Sequence, residues 1–180
     1  AINMWCAAAS SGQEPYSLAM TIKEEGTKFA GWNIKMTATD ISHEILEKAS
    51  RGLYSQFEVQ RGLPIQLLIK YFKQIEDKWQ ISDDIRKMIT FKYFNLLDSM
   101  TIFGKLDIIF CRNVLIYFDD KDKRAILEKM EKLLEPDGFL FLGGAETVIG
   151  ITDAFKPVPG MRGVYAKPAS VHFQKDAAKA

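Results

Sequence analysis

Ile2-Asn3-Met4-Trp5-Cys6-Ala7-Ala8-Ala9-Ser10-Ser11-Gly12-Gln13-Glu14-Pro15 decides the fold. The apolar run 2–9 predicts a buried strand. Pro15 falls in the first turn of a helix, where its fixed φ and missing N–H are suited. Leu18, Ala19 and Ile22 give that helix one apolar face, and Gly26 stops it. Between strand and helix lies a loop, 7–14, whose small side chains let a ligand approach the backbone closely. The helix start aims free N–H groups and a positive dipole end at the same place.

The alternation continues outward. Residues 34–39 predict a second strand ending at Asp40. Ser42 caps a helix carrying Ile45, Leu46 and Ala49, closed by Gly52. Residues 63–75 predict a third helix with Pro64 in its first turn. Residues 79–81 and 89–94 alternate as strands, and 106–111 is a continuous apolar run typical of a central parallel strand. Ile126, Leu127, Met130, Leu133 and Leu134 mark a long amphipathic helix, ended by a turn at 135–138. Residues 139–142 form the next strand, 155–166 an antiparallel hairpin around Pro159-Gly160, and the chain beyond Lys167 a frayed tail. Strands alternating with helices define an α/β domain with a mostly parallel sheet.

Composition bounds the function. The 180 residues are 47% apolar and 26% charged, as expected of one soluble globular domain. Lys and Arg number 24 against 23 Asp and Glu, a net charge of +1 that gives no support to nucleic-acid or membrane-surface binding. No apolar run approaches the ~18 residues of a membrane span, and the first residues do not resemble a signal peptide. Two cysteines and two histidines argue against a metal site, and Cys6 and Cys111 in apolar runs fit a reducing cytoplasm.

Open parallel sheets bind ligands at the carboxyl ends of their strands. The first loop has one glycine, not the three of a dinucleotide fingerprint, and no Lys-Ser/Thr pair of a P-loop. A ligand without a pyrophosphate suits it, although a tight packing turn has the same composition. Asp40, one βαβ unit later, can accept both hydroxyls of a ribose; an ordinary helix-cap aspartate looks the same. Together, loop and acid favour a nucleoside without phosphate but with its own carboxylate, which describes S-adenosylmethionine. Asn95 can meet an adenine edge as donor and acceptor, or simply form a turn. Arg112 and Asn113 follow the central strand, where an arginine usually has an anionic partner, in a ligand or in a structural ion pair. Tyr117 offers a phenol to the same crevice or to the core.

The blocks 11–20, 38–41, 94–97, 110–118 and 135–140 together resemble the chemotaxis receptor methyltransferase family, CheR. The likeness runs in unbroken order over residues 2–166. Its most specific parts are Glu14-Pro15-Tyr16-Ser17 and Arg112-Asn113-Val114-Leu115-Ile116-Tyr117-Phe118. The resemblance implies a class I S-adenosylmethionine-dependent methyltransferase fold: a mostly parallel sheet, an antiparallel C-terminal strand and a small β-subdomain at about 72–90. It implies methyl transfer from S-adenosylmethionine to glutamate side chains of chemotaxis receptors, giving methyl esters and S-adenosylhomocysteine. By the same resemblance Glu14, Asp40, Asn95, Leu96, Arg112 and Asn113 bind the cofactor, Asp40 through the ribose. Tyr117 and Arg112 are the catalytic candidates, positioning rather than moving protons. The acceptor glutamate is ionised at neutral pH, needs no base, and can gain as much as ~7–11 kcal/mol from orientation alone.

The expected organisation is one methyltransferase domain over 1–167 and a flexible tail over 168–180. The family's N-terminal helical domain is absent from this sequence. The partner implied is the receptor's cytoplasmic domain, without nucleic acid or membrane insertion. Residues 71–79 contain no glycine, unlike the family members that bind a receptor's C-terminal pentapeptide, so recognition is expected to be pentapeptide-independent. The rival functions are a methyltransferase for another substrate and a non-catalytic module that binds the cofactor or docks on receptors.

Overall fold

The computed structural model describes residues 1–176. Its first strand, β1 (Ile2–Ala7), leads through the small-residue loop into α1 (Gln13–Glu24). Next come β2 (Ile34–Asp40) and α2 (His43–Arg51). The Ser42 side chain accepts the Ile45 N–H to start α2, and Gly52, at φ 63°, ends it. A small layer follows: β3 (Leu53–Ser55), α3 (Gln56–Gln60), α4 (Ile65–Tyr71), β4 (Phe72–Ile75), β5 (Lys78–Ile81) and α5 (Asp83–Arg86). The main sheet resumes with β6 (Ile89–Tyr93), β7 (Leu106–Cys111), α6 (Asp120–Leu133), β8 (Leu134–Leu142), β9 (Lys156–Pro157) and β10 (Val164–Ala166).

Seven strands form the main sheet in the order β6-β2-β1-β7-β8-β10-β9. The first five are parallel, and β10 runs antiparallel to both β8 and β9. Both faces of the central strands are buried, so their sequences show no polar alternation. Trp5 and Ala7 of β1 join Ile109, Ile126, Leu127, Met130 and Leu140 on one side. Met4 and Cys6 join Tyr16, Ala19, Met20, Ile81, Ile85 and Phe110 on the other. The order reverses direction around β1, whose neighbours are β2 and β7, and the carboxyl ends of these strands open on one crevice.

Four expectations need correction. The helix expected over 63–75 stops at Tyr71, because Phe72–Ile75 pairs with β5, Phe72 opposite Ile81. The small sheet, ordered β3-β5-β4, spans 53–81 rather than 72–90, and Ile89 already belongs to the main sheet. The chain after Lys167 does not simply fray. Ser170 is buried, Phe173 packs against the cluster of Val158, Val164 and Ala166, and the His172 ring stacks on Phe139. Residues 177–180 of the expected tail lie outside the described residues. The turn over 135–138 is a bulge within β8: Leu134 pairs with Leu106 and Phe139 with Ile108, so four residues of β8 lie opposite the single Asp107, three more than a regular ladder holds.

Candidate active site

The loop after β1 is built from left-handed backbone. Ala8, Ser10 and Gly12 have φ of 77°, 51° and 94°. Such conformations are strained for residues other than glycine and persist where hydrogen bonds fix them. The Ala8 and Ala9 N–H groups both donate to the Thr39 carbonyl, at 3.0 and 2.8 Å. The Ser10 N–H donates to Asp40 Oδ2 at 3.0 Å, and the Ser42 N–H to Asp40 Oδ1 at 3.0 Å. Asp40 thus holds the loop and the start of α2 together while keeping lone pairs free on both oxygens. The Tyr54 hydroxyl, from the small sheet, donates to the Ser11 carbonyl at 2.7 Å.

A cleft of about 320 Å³ opens beside this loop. Ala8, Ser10, Asp40 and Ile41 line it from the ends of β1 and β2, Phe94, Asn95 and Leu96 from the end of β6, and Asn113, Val114, Tyr117 and Phe118, after β7, form the far wall. Its size falls within the range of ligand pockets, ~300–1,000 Å³. A second cleft of about 340 Å³ lies between α1 and the small layer. The hydroxyls of its two tyrosines are already committed to the carbonyls of Ala49 and Ser11.

Five of the sequence-predicted residues therefore meet in one cleft: Asp40, Asn95, Leu96, Asn113 and Tyr117. Tyr117 is 79% exposed, so its phenol faces the opening rather than the core. Glu14 and Arg112 are not among the cleft-lining residues. They pair with each other instead, Arg112 Nη1 to Glu14 Oε2 at 2.8 Å, which ties the end of β7 to the first turn of α1. Burial pushes the Glu14 carboxyl above its ordinary pKa, and the Arg112 guanidinium pulls in the opposite direction. Asn95 takes up the turn that its residue type also allowed. Its side-chain oxygen accepts the Leu97 N–H at 3.0 Å, closing a turn, and leaves the amide NH₂ as its free recognition group.

Two residues absent from the sequence reading hold the cleft in shape. Lys129 of α6 donates to the carbonyls of Leu96 and Asp98 at 2.9 and 2.8 Å, and burial lowers its pKa. Glu146 accepts backbone N–H groups from the far wall. Lys129 shows only as a charged position on an amphipathic helix. Glu146 follows the carboxyl end of β8, the same kind of position that singled out Asp40.

The sheet order, the antiparallel β10 and the crevice beside β1 define the class I S-adenosylmethionine-dependent methyltransferase fold. Residues 1–164 match the family described as CheR methyltransferase, SAM binding domain. The chain belongs to this family, whose cofactor is S-adenosylmethionine. It is 41% identical to the chemotaxis protein methyltransferase of Vibrio parahaemolyticus over 92% of its own length and 62% of that protein. Against the chemotaxis protein methyltransferase Cher2 of Pseudomonas putida it is 40% identical over 91% of the chain and 61% of that protein. The chain thus spans about three fifths of the curated relatives it matches. The solved glycopeptide N-methyltransferase MtfA overlays with a TM-score of 0.50 at 13% identity, covering 79% of this chain and 46% of that one, a likeness of fold alone.

Proposed function

We propose that the chain is the catalytic part of a protein-glutamate O-methyltransferase acting on the cytoplasmic domains of chemotaxis receptors. The observation that carries this is the cleft between Asp40 and Tyr117, beside a left-handed loop of small residues, in a chain of the CheR family. Asp40 suits the ribose hydroxyls, since its two backbone bonds fix the carboxylate without using all its lone pairs. Asn95 and Leu96 suit the adenine, and Asn113 the methionine end. Arg112 and Glu14 act from beside the cleft by fixing where β7 meets α1.

S-adenosylmethionine supplies a methyl group activated by its sulfonium. A receptor glutamate oxygen attacks the methyl carbon in line, an O–C bond forms, and the C–S bond breaks with its pair going to sulfur. No proton moves, so no general base is required. The chain's work is orientation, and Tyr117, exposed in the lining of the cleft, is the side chain suited to position the acceptor.

The small sheet supports a pentapeptide-independent mode. β4 is an edge strand, but its turn into β5 carries Glu76, at φ 55°, and Asp77. These acids oppose an acidic peptide tail, and no glycine there allows close backbone approach. A cytoplasmic location follows from the proposed partner and agrees with the free, buried Cys6 and Cys111. Among the described residues no helix is long and apolar enough to cross a membrane.

The deciding experiment is transfer of a labelled methyl group to receptor cytoplasmic fragments, with and without a separately supplied N-terminal helical domain. Base-labile label on receptor glutamates is the expected product. Cofactor binding with no transfer in either arm would point to a binding module, and label on another substrate to a different methyltransferase.

A further inference from the structure

We infer that Glu146 is a positioning residue that fixes the far wall of the cleft through a single carboxylate. Its Oε1 accepts N–H groups from Asn113 at 2.6 Å and Gly143 at 2.9 Å. Its Oε2 accepts those of Val114, Leu115 and Ile116 at 3.1, 2.8 and 3.3 Å. A carboxylate offers about four lone-pair sites, and five donors saturate it. Glu146 is therefore not available as a base or as a ligand contact. Its partners instead form a turn that would otherwise leave successive N–H groups without acceptors.

Two backbone features depend on this bond set. Asn113, which lines the cleft, sits at φ 58°, a conformation strained for a side-chain-bearing residue. Gly143 passes so close that a Cβ there would meet Asn113 Oδ1 at 2.3 Å and Glu146 Oε1 at 2.8 Å. The Tyr117 N–H donates to the Val114 carbonyl at 3.1 Å, so the turn that Glu146 holds also sets where Tyr117 begins. The opposite wall is held separately, by Asp40 and the N–H groups of Ser10 and Ser42. Each wall of the cleft has its own carboxylate clamp, and the two can be disturbed independently.

Amide hydrogen exchange on the free protein tests the clamp without any ligand. In Glu146→Gln the side-chain NH₂ would face backbone donors. Exchange at Asn113, Leu115 and Gly143 is expected to accelerate at least about tenfold, while Ser10 and Ser42 stay within about twofold. Calorimetry supplies the functional arm, which rests on the proposed cofactor site. S-adenosylhomocysteine affinity should fall about tenfold, about 1.4 kcal/mol. Methylthioadenosine, which lacks the amino-acid end, should bind within about twofold of wild type. Glu146→Asp, with the carboxylate withdrawn by one methylene, should lie between, and it carries the same comparison if the Gln variant does not fold. Unchanged protection at 113–115, acceleration that includes Ser10 and Ser42 equally, or equal loss of both ligands would overturn the inference. If the wild type binds no S-adenosylhomocysteine, the proposed function fails while the exchange data still decide the clamp.

Discussion

The Arg112 guanidinium and the Glu14 carboxylate lie 2.8 Å apart, joining the carboxyl end of β7 to the amino end of α1 beside the cleft. Burial nevertheless keeps the Glu14 pKa above its usual 4.5, with Arg112 opposing. A carboxyl raised in the folded state makes a contribution that is full below the unfolded value and declines as pH rises through the folded value. Arg112→Ala removes the opposing charge, raises Glu14 further and enlarges that decline. Thermal melts from about pH 4 to about pH 8 should show the variant falling progressively below wild type as pH rises. A constant offset across the range would mean that the pair does not couple to Glu14 ionisation.

The small sheet reaches the loop after β1 through Tyr54, whose hydroxyl donates to the Ser11 carbonyl at 2.7 Å. Tyr54→Phe should cost about 0.5–1.5 kcal/mol in chemical denaturation and weaken S-adenosylhomocysteine binding by loosening the loop. Gly12→Ala should cost more. Gly12 has φ 94°, and an added Cβ would lie 3.1 Å from Tyr54 Oη and 3.2 Å from both Ala49 Cβ and the Tyr16 ring. A Gly12→Ala protein as stable as wild type would show that the loop relaxes freely.

The parts of this molecule legible in its sequence are those where burial writes the pattern. β1 and β7 are covered on both faces and are apolar except at Asn3 and Asp107 near their starts; with β2 they mark the strand ends where Asp40, Asn113 and Tyr117 gather. The small sheet was harder. Leu53–Ser55 is too short to show alternation, and Leu67, Leu68, Tyr71, Phe72 and Ile75 continue a helical spacing that pairing with β5 overrides. Polar connections over long sequence distances left no pattern at all. Glu146 bonds to backbone groups some 30 residues away, and any sequence offers backbone N–H groups. Arg112 at the end of the central strand calls for an anion, in a ligand or in an ion pair, but only the fold shows that Glu14, 98 residues away, supplies it.

Cys6 and Cys111 sit on adjacent parallel strands, yet both are free and buried. Burial raises both thiol pKa values, with the Glu14 charge adding to Cys6 and those of Glu146 and Glu14 to Cys111. Alkylation of the native protein at neutral pH should be slow, and two thiols should react after denaturation. A disulfide mass in the freshly isolated protein would contradict the cytoplasmic assignment.

The acidic β4–β5 turn predicts that a free receptor pentapeptide shows no specific binding in titration calorimetry. Micromolar affinity lost on substitution of Trp79 would reverse this, placing the tail along β4 as an added strand.

The central claim is that the cleft between Asp40 and Tyr117 holds the adenosyl cofactor. Titration of S-adenosylhomocysteine into wild type and Asp40→Ala tests it most directly. Loss of the carboxylate should weaken binding by about 1.5–3 kcal/mol, the range for hydrogen bonds to a charged group. Asp40→Asn, which keeps one oxygen acceptor for the Ser10 or Ser42 N–H, should fall between. Near-wild-type affinity in a folded Asp40→Ala protein would remove Asp40 from the ribose site and contradict the assignment of the cleft.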